Sequence, residues 1–147
     1  MNKLNNIDYA GFWIRVAASI IDSIILVLVT SPILYSIYGK EYFKSEGLVA
    51  GYWDIIIKWI FPAVAVIVFW IYKSATPGKM IMGIKIIDMK TGNPPSTSQS
   101  IIRYLGYYVS MIPLMLGIIW VAFDEKKQGW HDKLAGTVVI KINSNGL

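Results

Sequence analysis

The chain has 147 residues, 55% of them hydrophobic and 16% charged, with a mean hydropathy of +0.52; a soluble domain would carry more charge and shorter apolar runs, so that class is excluded. The absence of cysteine excludes disulfides, thiolate metal sites and lipid attached to cysteine. The net charge of +5 comes from basic residues that flank apolar segments, which fits a membrane surface and not a nucleic acid.

Residues 1–11 are polar, with Tyr9, Phe12 and Trp13 expected at headgroup depth. A first transmembrane helix is expected over about residues 13–38. It is too long for the apolar core of a signal peptide and no small-residue cleavage site follows, so it is expected to stay as an anchor. Arg15, Ser19 and Asp22 make one polar stripe on it, because seven residues at about 100° each bring Asp22 to within about 20° of Arg15's side. A carboxylate at that depth costs about 2.5–3.5 kcal/mol on insertion scales, so a partner or a task is expected for it. Helical side chains lean toward the N-terminus, which points Arg15 away from Asp22 across an axial gap of about 10 Å; each therefore needs a partner elsewhere. Pro32 lies near the far end, where Thr30 and Ser31 can serve the backbone it frees. Tyr35, Tyr38 and Tyr42 mark the opposite interface.

After a short loop at 39–52, a second transmembrane helix is expected over about 53–73, with Trp53 and Trp59 at one end and Trp70 and Tyr72 at the other. Lys58 is near enough to its end to snorkel, and Pro62 is expected to bend it. Residues 74–100 are too polar to cross. Their IKIIDM and the later GTVVIKI at 136–142 are β-rich and can pair as a small sheet, provided both lie on one side of the membrane.

That condition bears on the apolar segment 101–123. As a straight crossing it leaves seven basic residues facing seven. Broken at Pro113 into two short helices that dip in and return, it leaves eleven facing three, which the positive-inside rule favours, with both termini cytoplasmic. Pro113 and Gly117 are weak points in a helix, and each half, at roughly 15–18 Å, is too short to span. The expected fold class is an α-helical integral membrane protein of one domain, 1–147. It has two full transmembrane helices, a Pro-broken third apolar segment (re-entrant, or alternatively a third crossing) and a small β-rich cytoplasmic face.

An arginine and an aspartate in the first membrane helix, TPGKMIMGIKIIDMKTG, a basic residue opening the last apolar segment, and QGWHDKLAGTVVI together resemble the RDD family of small bacterial membrane proteins. The resemblance covers about residues 12–141. It implies a bacterial plasma-membrane location, matches Arg15 and Asp22 to the family's arginine and first aspartate, and matches its second aspartate to Asp132, with Asp124 near. Arg15 stands alone before the first helix where many relatives have more basic residues. The family is usually described as of unknown function, with a suspected transport role.

The candidate ligand-binding or proton/cation-binding residues are thus Arg15, Ser19, Asp22, Arg103 and Asp132. Asp22 reads as a carboxylate that binds a cation or carries a proton, set against a structural carboxylate paired with Arg15 or Arg103. Arg15 and Arg103 read as interfacial anchors or as partners of a buried acid. His131 titrates near neutral pH when unperturbed, but one His without a second His or a Cys is poor evidence for a metal, and a structural role is expected. Thr76–Lys79 lacks P-loop spacing and reads as a turn, with Lys79 and Lys85 beside anionic headgroups. No nucleophile or metal signature is present, so neither an enzyme nor a cofactor is expected. Two functions compete. One is transport of a small ligand or cation/proton exchange, in a homo-oligomer because two or three crossings cannot readily enclose a path. The other is a non-catalytic binding module that regulates or scaffolds another membrane protein. The expected partners are the lipid bilayer, further copies or another membrane protein, and a small cation or proton.

Overall fold

A computed structural model describes residues 7–44 and 51–142. Helix α1 spans Phe12–Tyr38, a largely apolar run that begins after Gly11 and ends where Gly39 returns its N–H to the Tyr35 carbonyl. Pro32 is carried inside it. Thr30 Oγ1 bonds the Leu26 carbonyl at 2.8 Å, and not the Leu28 carbonyl one turn before Pro32 as the sequence suggested. Helix α2 spans Tyr52–Lys73. Pro62 has no N–H to return to Lys58, and the strain is taken up by a π-helical turn over Ile56–Ile60 that leaves the helix a single run. Both helices are long and apolar enough to cross a membrane, and only 6% and 11% of their most apolar windows are buried within the protein. Ile24, Leu28 and Trp59 point outward, and an apolar surface of that extent needs lipid or a partner against it.

A 3-10 turn (Lys40–Lys44) follows the far end of α1, and residues 74–142 form a cap beside its N-terminal half. Helix α3 (Pro77–Ile81) leads into strand β1 (Ile84–Asp88). Helix α4 (Thr97–Met111) starts with a capping box in which Ser96 and Gln99 serve each other's backbone N–H. Helix α5 (Leu116–Ala122) follows at 114° to α4. The turn is built by Pro113 and by left-handed backbone at Leu114 (φ 51°) and Met115 (φ 62°). So the apolar segment 101–123 is broken at Pro113, as the charge count favoured. Gly117, expected to be a second weak point, lies inside α5 and serves a close approach instead: a Cβ there would sit 2.7 Å from Ser110 Cα.

Helix α6 (Trp130–Ala135) ends at Gly136, whose φ of 66° turns the chain into strand β2 (Thr137–Lys141). β1 and β2 pair antiparallel from Ile84–Lys141 to Asp88–Thr137, the small sheet expected from their composition. Tyr9 forms an antiparallel bridge to Ile140 at the edge of this sheet. The sheet is covered on both faces. Ile84, Ile86 and Val139 pack with Ala18 and Trp70 against the helices, and Ile87, Val138 and Ile140 pack with Ile7 and Tyr9. Pairing β1 with β2 brings residues 84–88 and 137–141 together at one end of the molecule.

Candidate functional site

Two polar centres lie where α1 meets the cap, and each holds one of the aspartates singled out in the sequence. Asp132, on α6, is fully buried between two arginines. Its Oδ2 accepts from Arg15 Nη1 at 2.6 Å and from the Gly129 N–H at 2.9 Å, and its Oδ1 accepts from Arg103 Nη1, which also donates to Thr137 Oγ1 at 2.7 Å. Arg15 further donates through Nε to the Ala10 carbonyl at 2.9 Å and through Nη2 to the Lys127 carbonyl. One carboxylate thus ties α1, α4, α6 and β2 together. Burial pushes the Asp132 pKa up, but the guanidiniums of Arg103 and Arg15 outweigh it and hold the carboxyl well below the usual range. Asp124, the other candidate for the second aspartate, pairs with Lys133 at 2.5 Å and takes no part.

His131 is buried, stacked on Tyr107 at 3.9 Å between ring centres, with its backbone N–H on Ser110 Oγ at 3.2 Å. Burial lowers its pKa to about 3, against the pull of Asp132 and helped by the nearby Arg103, so the ring is neutral at physiological pH. The ring packs between Tyr107 and the body of the cap.

Asp22 sits apart from both arginines. Its Oδ2 accepts from Thr76 Oγ1 at 2.5 Å and its Oδ1 from the Gly78 N–H at 2.6 Å, so the α1 carboxylate caps the N-terminus of α3 from another element. Contact this close needs glycine. A Cβ on Gly78 would overlap the Ala18 carbonyl and lie 2.8 Å from Asp22 Cγ. The pairings of Asp22 with Arg15 or Arg103 weighed from the sequence do not form. Ser19 shares the stripe but its side chain does not bond Asp22; its carbonyl accepts from Ser23 Oγ at 2.9 Å.

Lys79 corrects the sequence reading. Expected at the lipid headgroups, it is 5% exposed, because α3 docks on α1 at Ala18 and turns the side chain inward. Its Nζ lies 3.4 Å from Thr76 Oγ1 and 6.0 Å from the Trp70 ring centre. Burial pushes the ammonium pKa down. Lys85 keeps a half-buried place on β1, opposite Ile140. Asp22, Lys79, Thr76, Trp70 and Tyr107 line a cavity of about 270 Å³, and a larger, mostly apolar cleft of about 630 Å³ lies on the other side of Ser19 and Tyr107, with Arg15 and His131 in its wall.

Sequence reasoning missed Thr76, Gly78, Lys79 and Trp70 as members of the site. The available signal was the Thr-Pro-Gly start of a short helix with no acidic side chain in its first turn, which leaves backbone donors in want of an anion. Among the described residues no cluster of His, Cys, Asp and Glu could hold a metal.

The RDD family model matches residues 9–136. A protein of Rickettsia prowazekii (strain Madrid E) is 47% identical over 75 residues, 51% of this chain and 41% of that protein's length. YxaI of Bacillus subtilis (strain 168) is 31% identical across 89% of this chain and 96% of its own. YteJ of the same organism, described as a membrane protein, is 30% identical across 90% and 80%. No solved structure matches.

Proposed function

We propose that this chain, which belongs to the RDD family, is a multi-pass protein of the bacterial plasma membrane that transports a small ligand, with proton movement coupled at Asp22. Helices α1 and α2 cross, residues 97–122 enter and return, and both termini lie in the cytoplasm. The supporting observation is the contrast between the two aspartates. Asp132 is locked by two guanidiniums, an arrangement whose disruption strands buried charge. Asp22 is held by two neutral donors, lines a cavity, and reaches Lys79 through the Thr76 hydroxyl. A carboxylate so held changes its load by exchanging hydrogen bonds, without breaking an ion pair. Two crossings do not enclose a path, so the working unit is a homo-oligomer.

The test is internal pH in proteoliposomes loaded with a pH-sensitive dye, under imposed gradients of sodium, potassium and phosphate salts. Wild type is expected to move protons with at least one gradient, and Asp22→Asn is expected to lose about tenfold or more of that rate while inserting normally, since the amide carries no exchangeable charge. No movement in wild type under any gradient, or an unchanged rate in Asp22→Asn, overturns the reading.

A further inference from the structure

The buried side-chain nitrogens and oxygens left without a hydrogen-bond partner among the described residues are all donors. They are Trp70 Nε1, Arg103 Nε and Arg103 Nη2. Lys79 adds a fourth group in need: it makes no ion pair among the described residues, and its Nζ has one long hydrogen bond, to Thr76. These donors are gathered about one ring. Arg103 Cζ lies 5.3 Å and Lys79 Nζ 6.0 Å from the Trp70 ring centre, and Tyr107 stacks on Trp70 at 6.1 Å. Trp70, Lys79 and Tyr107 line the 270 Å³ cavity.

The charge count points the same way. With Lys79 as its ammonium, Arg15, Arg103 and Lys79 face two carboxylates, Asp22 and Asp132, and His131 is neutral, so one positive charge in the cluster lacks a partner; burial alone pushes Lys79 toward the neutral amine, and an anion in the cavity favours the ammonium. Burying a charge and several N–H groups without acceptors is strongly unfavourable, because each gives up its hydrogen bonds to water and gains none. A metal cation is the wrong ligand here, since the Lys79 ammonium and the Arg103 guanidinium already flank the Trp70 ring and Lys79 reaches Asp22 through Thr76.

We infer that the cavity lined by Lys79, Trp70 and Tyr107 is an oxyanion site, taking a phosphate-type group with Lys79 Nζ and Trp70 Nε1 as its donors. The inference rests on the cavity being the ligand site of the proposed function, and it names the ligand's chemistry. Phosphate oxygens accept several hydrogen bonds at once and supply the missing negative charge. The cavity is walled by Val66 and Trp70 of the last turns of α2 and by Thr76 and Lys79 just after Lys73, where the chain leaves the apolar zone. A phospholipid headgroup and a free phosphate both reach that depth and share this chemistry.

The experiment is calorimetric titration of delipidated protein in detergent with inorganic phosphate, and native mass spectrometry with phosphatidylglycerol, using diacylglycerol as the phosphate-free control. Wild type is expected to bind at a fixed ratio. Lys79→Met is expected to weaken binding about tenfold or more, the loss of one charge-assisted bond, and Trp70→Phe, which keeps the ring and removes the N–H, about three- to fivefold. Lys85→Gln is expected to bind as wild type. Lys79→Met is also expected to unfold at no lower temperature than wild type, because it removes an unpaired buried charge; a purely structural lysine would give the opposite. Phosphatidylglycerol retained and not displaced by phosphate assigns the headgroup; saturable phosphate binding that displaces lipid assigns the free anion. Absence of binding by both probes, or binding by Lys79→Met and Trp70→Phe equal to that of wild type, overturns the inference. Binding without ion flux overturns transport alone; flux without anion binding overturns this inference alone.

Discussion

Asp132→Asn is expected to cost about 3–5 kcal/mol of stability, read as a lower unfolding temperature in detergent or as loss of the protein from the membrane fraction. The amide keeps the shape of the side chain but cannot neutralise Arg15 and Arg103, and Arg103 is fully buried with two of its nitrogens already unpartnered. The same carboxylate closes the N-terminus of α6 through Gly129 and positions the Arg103 bond to Thr137. Its loss therefore releases α6 and β2 from α1 and α4 together. Arg15→Gln is expected to cost less, because Asp132 retains Arg103 and the Arg15 side chain keeps 11% of its surface exposed. Equal unfolding temperatures for Asp132→Asn and wild type would show that the ion triad is not what holds the cap to α1.

The second large effect is expected from a single methyl group. Gly78→Ala places a Cβ inside the contact distance of the Ala18 carbonyl and 2.8 Å from Asp22 Cγ. Neither neighbour can swing away, since one is helix backbone and the other is held by Thr76 and Gly78 itself. Helix α3 has to move off α1, at a cost of about 1–3 kcal/mol in overpacking and with loss of the Asp22 cap. The expected readout is a lower unfolding temperature together with loss of proton movement. An unchanged unfolding temperature would mean that α3 does not press against α1 at Ala18.

How far such features are visible in the chain depends on whether they are local. Helices α1 and α2 are written in long apolar runs ended by Trp, Tyr and Lys, and the structure places them within a residue or so of the expected limits. The break at Pro113 is local chemistry, and the pairing of 84–88 with 137–141 follows from two β-branched runs that must meet on one side. The site was legible in half. Arg15, Arg103 and Asp132 stood out as charges in apolar surroundings, yet Arg15 and Asp132 are 117 residues apart and no periodicity joins them. Lys79 was misplaced because a lysine after a Thr-Pro-Gly turn ordinarily goes to water or headgroups. It is buried by the fit of Gly78 against Ala18, a contact between two small residues from different elements that propensity does not register. The polar stripe on α1 was real as a row, but its members serve different partners: Arg15 goes to α6, Asp22 to α3.

The absence of cysteine makes the proposed topology, a chain that enters the membrane at 97 and returns by 122 on the same side, directly measurable. Single variants Lys90→Cys, Glu125→Cys and Glu41→Cys, all at exposed positions, are labelled in sealed vesicles of known orientation with a maleimide that does not cross the bilayer. Labelling of Lys90→Cys and Glu125→Cys from the cytoplasmic side, and of Glu41→Cys from the opposite side, is the predicted result. Labelling of Lys90→Cys and Glu125→Cys from opposite sides would contradict it, because a third crossing would separate β1 from β2 and Arg103 from the tail that carries Asp132.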